Sequence, residues 1–213
     1  MPAARNTRNA FTILISILFA CSLLLSIAHT VFFNRAWQAE SIGGTGDTLM
    51  RSQYDATMNF LEGDAGAALP AAMTSAEQDH MHDVKRVVTQ GKIIETIMWI
   101  LFAASGTAYC FLQKKRRSVK NVLLMVKDAS MTLFSIGALL IICALFFDAF
   151  FSAFHAVLFP QGNWMFPPDS LLIRMFPETL FLQGFIRIVG ETVGTALLLL
   201  VFALLARHFA EEA

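Results

Sequence analysis

Four long apolar runs constrain this 213-residue chain more than any other feature. They extend from Phe11 to Phe33, Ile93 to Leu112, Ala129 to Phe147 and Phe185 to Ala206. A bilayer core about 30 Å thick takes roughly 20 mostly apolar residues per helix, so each run is long enough to cross. Hydrophobic residues make up 56% of the chain, above the share usual in soluble domains. The expected fold class is an all-α membrane protein with four transmembrane helices at about 11–33, 93–112, 129–147 and 185–206, forming a single integral membrane domain over 1–213.

The first run resembles a secretory signal at its start, because Arg5 and Arg8 precede it and "LFAC" ends at Cys21. Apolar residues continue through "SLLLSIAHTVFF", longer than a signal core, which favours an uncleaved helix. Cys21, Cys110 and Cys143 each sit in a different apolar run, so they read as packing residues rather than a disulfide framework.

Lysine and arginine set the topology. Arg5 and Arg8 precede the first span, "KKRRSVK" joins the second to the third, and Arg207 ends the fourth. The positive-inside rule then makes both termini cytoplasmic and turns the segments at about 34–92 and 148–184 outward. The chain is expected in a membrane as a multi-pass protein, with a helical loop domain on the outer, extracellular or periplasmic, side and surface-lying segments. Nucleic acid is not an expected partner, since the one dense basic run is a topology signal.

"GGTGD" at Gly43–Asp47 is the obvious break in the first outer segment. After it Met50, Tyr54, Met58 and Leu61 recur at three- and four-residue spacing, which predicts a helix with one apolar face. Thr74 and Glu77 form a capping box that starts another helix near Ser75. On that helix His80, Asp83, Val84 and Val87 share a face and His82 points elsewhere.

The third apolar run continues past its span to Phe159, interrupted only by Asp148 and His155. As one helix from Ala129 it would reach about 46 Å, with Asp148, Ser152 and His155 on one face. Gly162 and the Pro167-Pro168 pair turn the chain back, and Asp169 or Ser170 is expected to cap a short helix through Phe176. Gly190 and Gly194 in the fourth run form a small-xxx-small pair expected to admit a neighbouring helix.

Histidines carry the chemical interest. His80, His82 and His155 fall on the same outer side, whereas His29 and His208 read as bland interfacial residues. His155 lies among Phe150, Phe151, Phe154 and Phe159, where an ionisable group is costly unless it is used and where burial keeps an imidazole neutral. Asp83, one turn from His80, is a candidate orienting partner. A metal site from His80, His82, Asp83, His155 and Asp169 is the alternative, with ligand types suited to zinc or manganese. Against it, the chain has no His-Glu-x-x-His pattern, and "HMH" puts its histidines on nearly opposite faces. Arg187 and Glu191 read as an ion pair, or Arg187 as a lipid-phosphate contact. Trp164 and Phe166 read as interface anchors. Gly-x-Ser-x-Gly and phosphate-cradling glycine loops are absent, so catalysis would rest on histidine and carboxylate.

Two stretches, "EQDHMHDVK" from Glu77 to Lys85 and "FHAVLFPQGNWMFPPDSLLIRMFPE" from Phe154 to Glu178, resemble the bacterial lipoprotein intramolecular transacylases, small four-helix membrane proteins. The resemblance implies an acyltransferase that moves the sn-2 acyl chain of a diacylglyceryl-modified cysteine onto that cysteine's own α-amine, leaving a lyso-form lipoprotein. It implies His80 and His155 as the catalytic pair, diacylglyceryl-modified lipoproteins and membrane lipids as partners, and no cofactor or metal. His82 departs from the family pattern and leaves both members of "HMH" open. Asp83, Asp148, Trp164, Asp169 and Arg187 are the expected supporting residues. The competing expectations are a metal-dependent membrane hydrolase and a non-catalytic lipid-binding scaffold.

Overall fold

The computed structural model describes residues 10–41, 48–112 and 115–212. Arg5, Arg8, the Gly43–Asp47 break and Lys114 lie outside them. The described residues form eight helices and no strand: α1 (Ala10–Phe32), α2 (Arg35–Ser41), α3 (Thr48–Glu62), α4 (Ser75–Leu112), α5 (Lys115–Leu145), α6 (Phe147–Leu158), α7 (Leu171–Met175) and α8 (Glu178–Glu212). Four segments are long and apolar enough to cross a membrane: Ala10–Phe32, Ser75–Phe111, Val119–Leu145 and Glu178–Ala210. Among them Ser75–Phe111 exceeds what a crossing needs. Its first half carries Glu77, Asp79, Asp83, Lys85, Arg86 and Lys92, so only the apolar part from Ile93 onward suits hydrocarbon.

The chain divides into two compact units. The first takes Met1–Ala28, Ile94–Leu140 and Val189–Ala213. Small residues make its seam: Ala20 of α1, Ala129 of α5 and Ala196 of α8 are fully buried around Leu133. Short side chains let membrane helices approach until backbone groups are within reach. Ser130 Oγ accordingly donates to Ala196 O at 2.8 Å. A Cβ on Gly137 would stand 2.9 Å from Val193 Cγ2, so α5 and α8 touch there. The pair Gly190 and Gly194 faces open space instead. On α8 those glycines sit roughly opposite Thr192 and Ala196, which are buried, and the expected close approach is made from α5 at Gly137. Elsewhere in this unit Phe19 stacks on Phe102 at 4.7 Å, and Trp99 Nε1 donates to Ser26 Oγ, which donates to Glu95 Oε1.

The second unit takes His29–Ile93 and Ile141–Ile188. Its core is sulfur-rich and aromatic: Met50, Tyr54, Met58, Phe60 and Leu61 of α3 pack with Met73, Met81, Leu172 and Met175. The three- and four-residue spacing on α3 thus marks the face that is buried. Arg35 fixes the end of α3 by donating to Asn59 Oδ1 at 2.7 Å and to Glu62 at 2.6 Å.

The long apolar run after Ala129 is not one helix. Phe146 leaves helical geometry, with φ −120° and ψ 44°, and α6 begins at Phe147. Phe147 is buried against Phe151 and Phe185, so packing of α6 on its own aromatic cluster re-aims the chain.

Candidate active site

The site lies within the second unit and is built from the start of α4, the end of α6 and the turn that follows. The Thr74–Glu77 capping box starts α4: Glu77 Oε2 accepts from Thr74 N at 2.7 Å and Oγ1 at 2.8 Å, and Thr74 Oγ1 accepts from Glu77 N. Oε1 of the same carboxylate accepts from Leu172 N at 2.8 Å in the first turn of α7. Burial opposes ionisation of Glu77, but the bonds from Leu172 and Thr74 prevail and hold it below the usual carboxylate range. The other cap of α7 is Ser170, which accepts from Ile173 N, so the choice between Asp169 and Ser170 falls to the serine.

One turn after Glu77, His80 is buried, with 6% of its surface exposed. Its ring centroid lies 6.5 Å from that of His155, with the planes 26° apart. Phe159 touches both imidazoles, at 4.7 Å from His80 and 5.6 Å from His155. Phe166 lies 5.6 Å from His80, and Phe151 and Trp164 lie 4.1 and 5.0 Å from His155. Trp164 and Phe166, which sequence reasoning treats mainly as interface anchors, are therefore walls of the histidine enclosure.

Burial, then the neighbouring His155, lowers the His80 pKa to about 4, with Asp83 and Asn163 pulling the other way. His155 is also lowered by burial, against its bond to Phe151 and the charge of Glu178. Both rings are thus neutral near pH 7. His155 Nδ1 is 2.8 Å from Phe151 O. A carbonyl can only accept, so Nδ1 carries the hydrogen and Nε2 keeps its lone pair. The Phe159 N–H bond to His155 O at 2.7 Å closes α6, and Gly162 supplies φ +76° where the chain turns back.

The expected supporting residues separate into distinct positions. Asp83 Oδ2 accepts from Gln161 Nε2 at 2.7 Å and Asn163 Nδ2 at 2.9 Å, and Arg86 donates to its Oδ1 at 3.0 Å. Asn163 first, then Gln161 and Arg86, keep its carboxyl below the usual range. Asp83 therefore fastens the post-α6 turn to α4. Arg187 places its guanidinium 5.5 Å from the Trp37 ring centre. Asp148 and Asp169 are exposed, and Asp148 is two turns back along α6 from His155. His82 is exposed and packs edge-on against Phe60 at 5.0 Å, away from the pair. Among the described residues no three His, Cys, Asp or Glu side chains stand where they could hold a metal ion. The ligand set His80, His82, Asp83, His155 and Asp169 is not gathered. Sequence reasoning missed Glu77 as a bridge to α7, and Gln161 and Asn163 as partners of Asp83. The capping box signalled only the first half of Glu77's role.

The sequence profile of the lipoprotein intramolecular transacylase Lit matches residues 9–181. The chain belongs to the lipoprotein intramolecular transacylase family. By sequence alone, no curated protein matches it. Among solved structures it is similar to the membrane-integral Lit of Bacillus cereus, with TM-score 0.79, 17% identity and coverage of 95% of this chain and 97% of that one. A variant of the same Bacillus cereus protein with one histidine changed to arginine matches with TM-score 0.72 and 18% identity, covering 95% of this chain and 92% of that one. At such identity the structural likeness speaks for the fold, and the family match identifies the chain as a membrane-integral intramolecular transacylase acting on lipoproteins.

Proposed function

We propose that this transacylase moves the sn-2 acyl chain of a diacylglyceryl-modified cysteine to the α-amine of that cysteine, with His80 and His155 as its two proton acceptors. The observation that carries the reading is the pair itself: two neutral imidazoles, from helices far apart in sequence, facing each other at 6.5 Å in an aromatic enclosure.

The chemistry asks for two such groups. An α-amino group has a pKa of about 7.7 to 8.0, so near neutral pH most of it is ammonium. It must lose one proton to become nucleophilic. Its nitrogen then bonds to the ester carbonyl carbon and gives a tetrahedral adduct that still carries an extra proton. As the adduct collapses, the carbon–oxygen bond to glycerol breaks, that second proton leaves nitrogen, and the glyceryl oxygen is protonated. One imidazole serves the first transfer and the other carries the second proton from nitrogen to oxygen. General base catalysis contributes typically about 10² to 10⁴-fold. Nucleophile and ester belong to one molecule, so proximity is supplied by the substrate itself.

The charge pattern supports placing this site on the outer face with both termini cytoplasmic. In this reading Asp83 holds the turn and Trp164 walls His155. Arg187 meets a lipid phosphate at the boundary, and Asp148 and Asp169 provide charge at the rim.

Mass spectrometry of a lipoprotein N-terminal peptide, from cells carrying the enzyme or its His80→Ala and His155→Ala variants, tests the proposal. The expected result is one acyl chain transferred from glycerol to nitrogen with total mass unchanged, abolished by either substitution. Loss of acyl mass points to a hydrolase. Transfer that survives both substitutions removes the histidines from the mechanism.

A further inference from the structure

Asp83, Asn163 and His80 form a chain of three polar groups with one gap. Asp83 Oδ2 accepts from Asn163 Nδ2 at 2.9 Å. An ionised carboxylate has no hydrogen to give, so the atom that Asn163 turns toward Asp83 is its amide nitrogen. The orientation of this amide is thereby fixed. Asn163 Oδ1 must then point away from Asp83, and it is buried without a hydrogen-bond partner. His80 Nδ1 is buried and unpartnered as well, and the Asn163 side chain is its neighbour. An amide oxygen only accepts. A neutral imidazole nitrogen donates when it carries the hydrogen. The two orphaned atoms are complementary as donor and acceptor.

We propose that Asn163 is a positioning residue that sets the tautomer of His80, accepting from Nδ1–H while Asp83 anchors and polarises the amide from behind. The proton on Nδ1 leaves the Nε2 lone pair for the reaction, the same arrangement that the Phe151 carbonyl imposes on His155. When His80 takes a proton at Nε2, its charge strengthens the bond to Asn163 Oδ1, and the Asp83 carboxylate stabilises it across the amide. No covalent change at Asn163 is involved. The proposal rests on the reading of His80 as a proton acceptor.

The test uses the full-length enzyme, labelled with nitrogen-15 histidine, in detergent or nanodiscs. The His80 ring signals are assigned by their loss in His80→Ala. The expected wild-type spectrum has hydrogen on Nδ1 and an unprotonated Nε2. Asn163→Ala is expected to lower kcat about 10- to 100-fold, part of what a general base supplies, with KM within about twofold of wild type. In that variant the hydrogen should shift partly to Nε2. A wild-type His80 with its hydrogen on Nε2 overturns the proposal, and this measurement needs no variant of Asn163 to fold. Unchanged His80 signals together with full kcat in Asn163→Ala also overturn it. Full activity of His80→Ala sinks the catalytic reading itself, whereas an inactive His80→Ala beside a fully active Asn163→Ala sinks only the role of Asn163.

Discussion

The two units of this chain are held together by different means. In the unit of Met1–Ala28, Ile94–Leu140 and Val189–Ala213, small residues line the buried seam around Leu133, with Ala20, Ser130 and Ala196 fully buried. Around His80 and His155 the buried set is methionine, leucine, phenylalanine and tyrosine, and two carboxylates tie elements together, Glu77 to α7 and Asp83 to the turn after α6. Lipid is as apolar as leucine, so burying leucine between spanning helices gains little. Close backbone approach and dispersion are what remain. Where water or headgroups compete, burial of large side chains pays again, and polar groups that are buried have to be paired. The contrast teaches where tolerance to substitution should lie: size matters in the first unit, and pairing matters in the second.

The largest effect should separate activity from stability. His155→Ala is expected to cut acyl transfer by about 100-fold or more while leaving the thermal midpoint of the purified enzyme nearly unchanged, since this half-buried ring's one hydrogen bond is to Phe151 O. A midpoint that falls together with activity would make His155 a packing residue and blur the contrast.

Next comes Glu77→Ala, which strips partners from Thr74 N and Leu172 N together. Leu172 is buried, and an unpaired buried donor costs about 1–3 kcal/mol, so a marked fall in thermal stability is expected. Amide exchange should accelerate at the starts of α4 and α7 rather than at the alanine seam. Exchange rising first around Ala129 and Ala196 would show that the units do not respond separately.

In the seam, Gly137→Leu must push against Val193, already 2.9 Å from a bare Cβ. Overpacking of this kind costs about 1–3 kcal/mol. Gly194→Ala, beside open space, should leave the melting temperature where it is or raise it slightly. Equal losses from both would place the seam elsewhere on α8.

The smallest effect is one of pH. His80 and His155 both have lowered folded-state pKa values, with His80 near 4. As proton acceptors they should keep activity level as pH falls to about 6.5 and lose it only below that, through the pKa of His155. For stability, the unfolded chain takes up protons first, at about 6.5, so acid weakens the fold between that pH and the lower folded values. An acid limb in kcat/KM lying above pH 6.5 would mean that at least one imidazole is charged in the resting enzyme.

Much of this was legible in the residues because it rests on local rules. Span length follows from bilayer thickness. The spacing of Met50, Tyr54, Met58 and Leu61 follows from helical pitch. The starts of α4 and α7 follow from Thr74, Glu77 and Ser170 as caps. What stayed hidden depends on three-dimensional neighbours. The break at Phe146 has no proline or glycine to announce it; it follows from packing of Phe147 with Phe151 and Phe185. Gly190 and Gly194 obey the spacing of a helix contact, but spacing does not say which side of α8 meets α5. Trp164 and Phe166 look like interface residues by type, because the sequence does not show that the turn at Gly162 folds them onto the imidazoles. Asn163 carried no signal of its own: its importance comes from which way its amide is turned.

The two oxygens of Glu77 face different masters, one the turn that opens α4 and the other the turn that opens α7. Three residues later on the same helix comes His80. The carboxylate that caps α7 thus sits within a single helical turn of the ring proposed as a proton acceptor. If His80 accepts the proton as proposed, one carboxylate would link how the substrate fits to how readily that proton is taken.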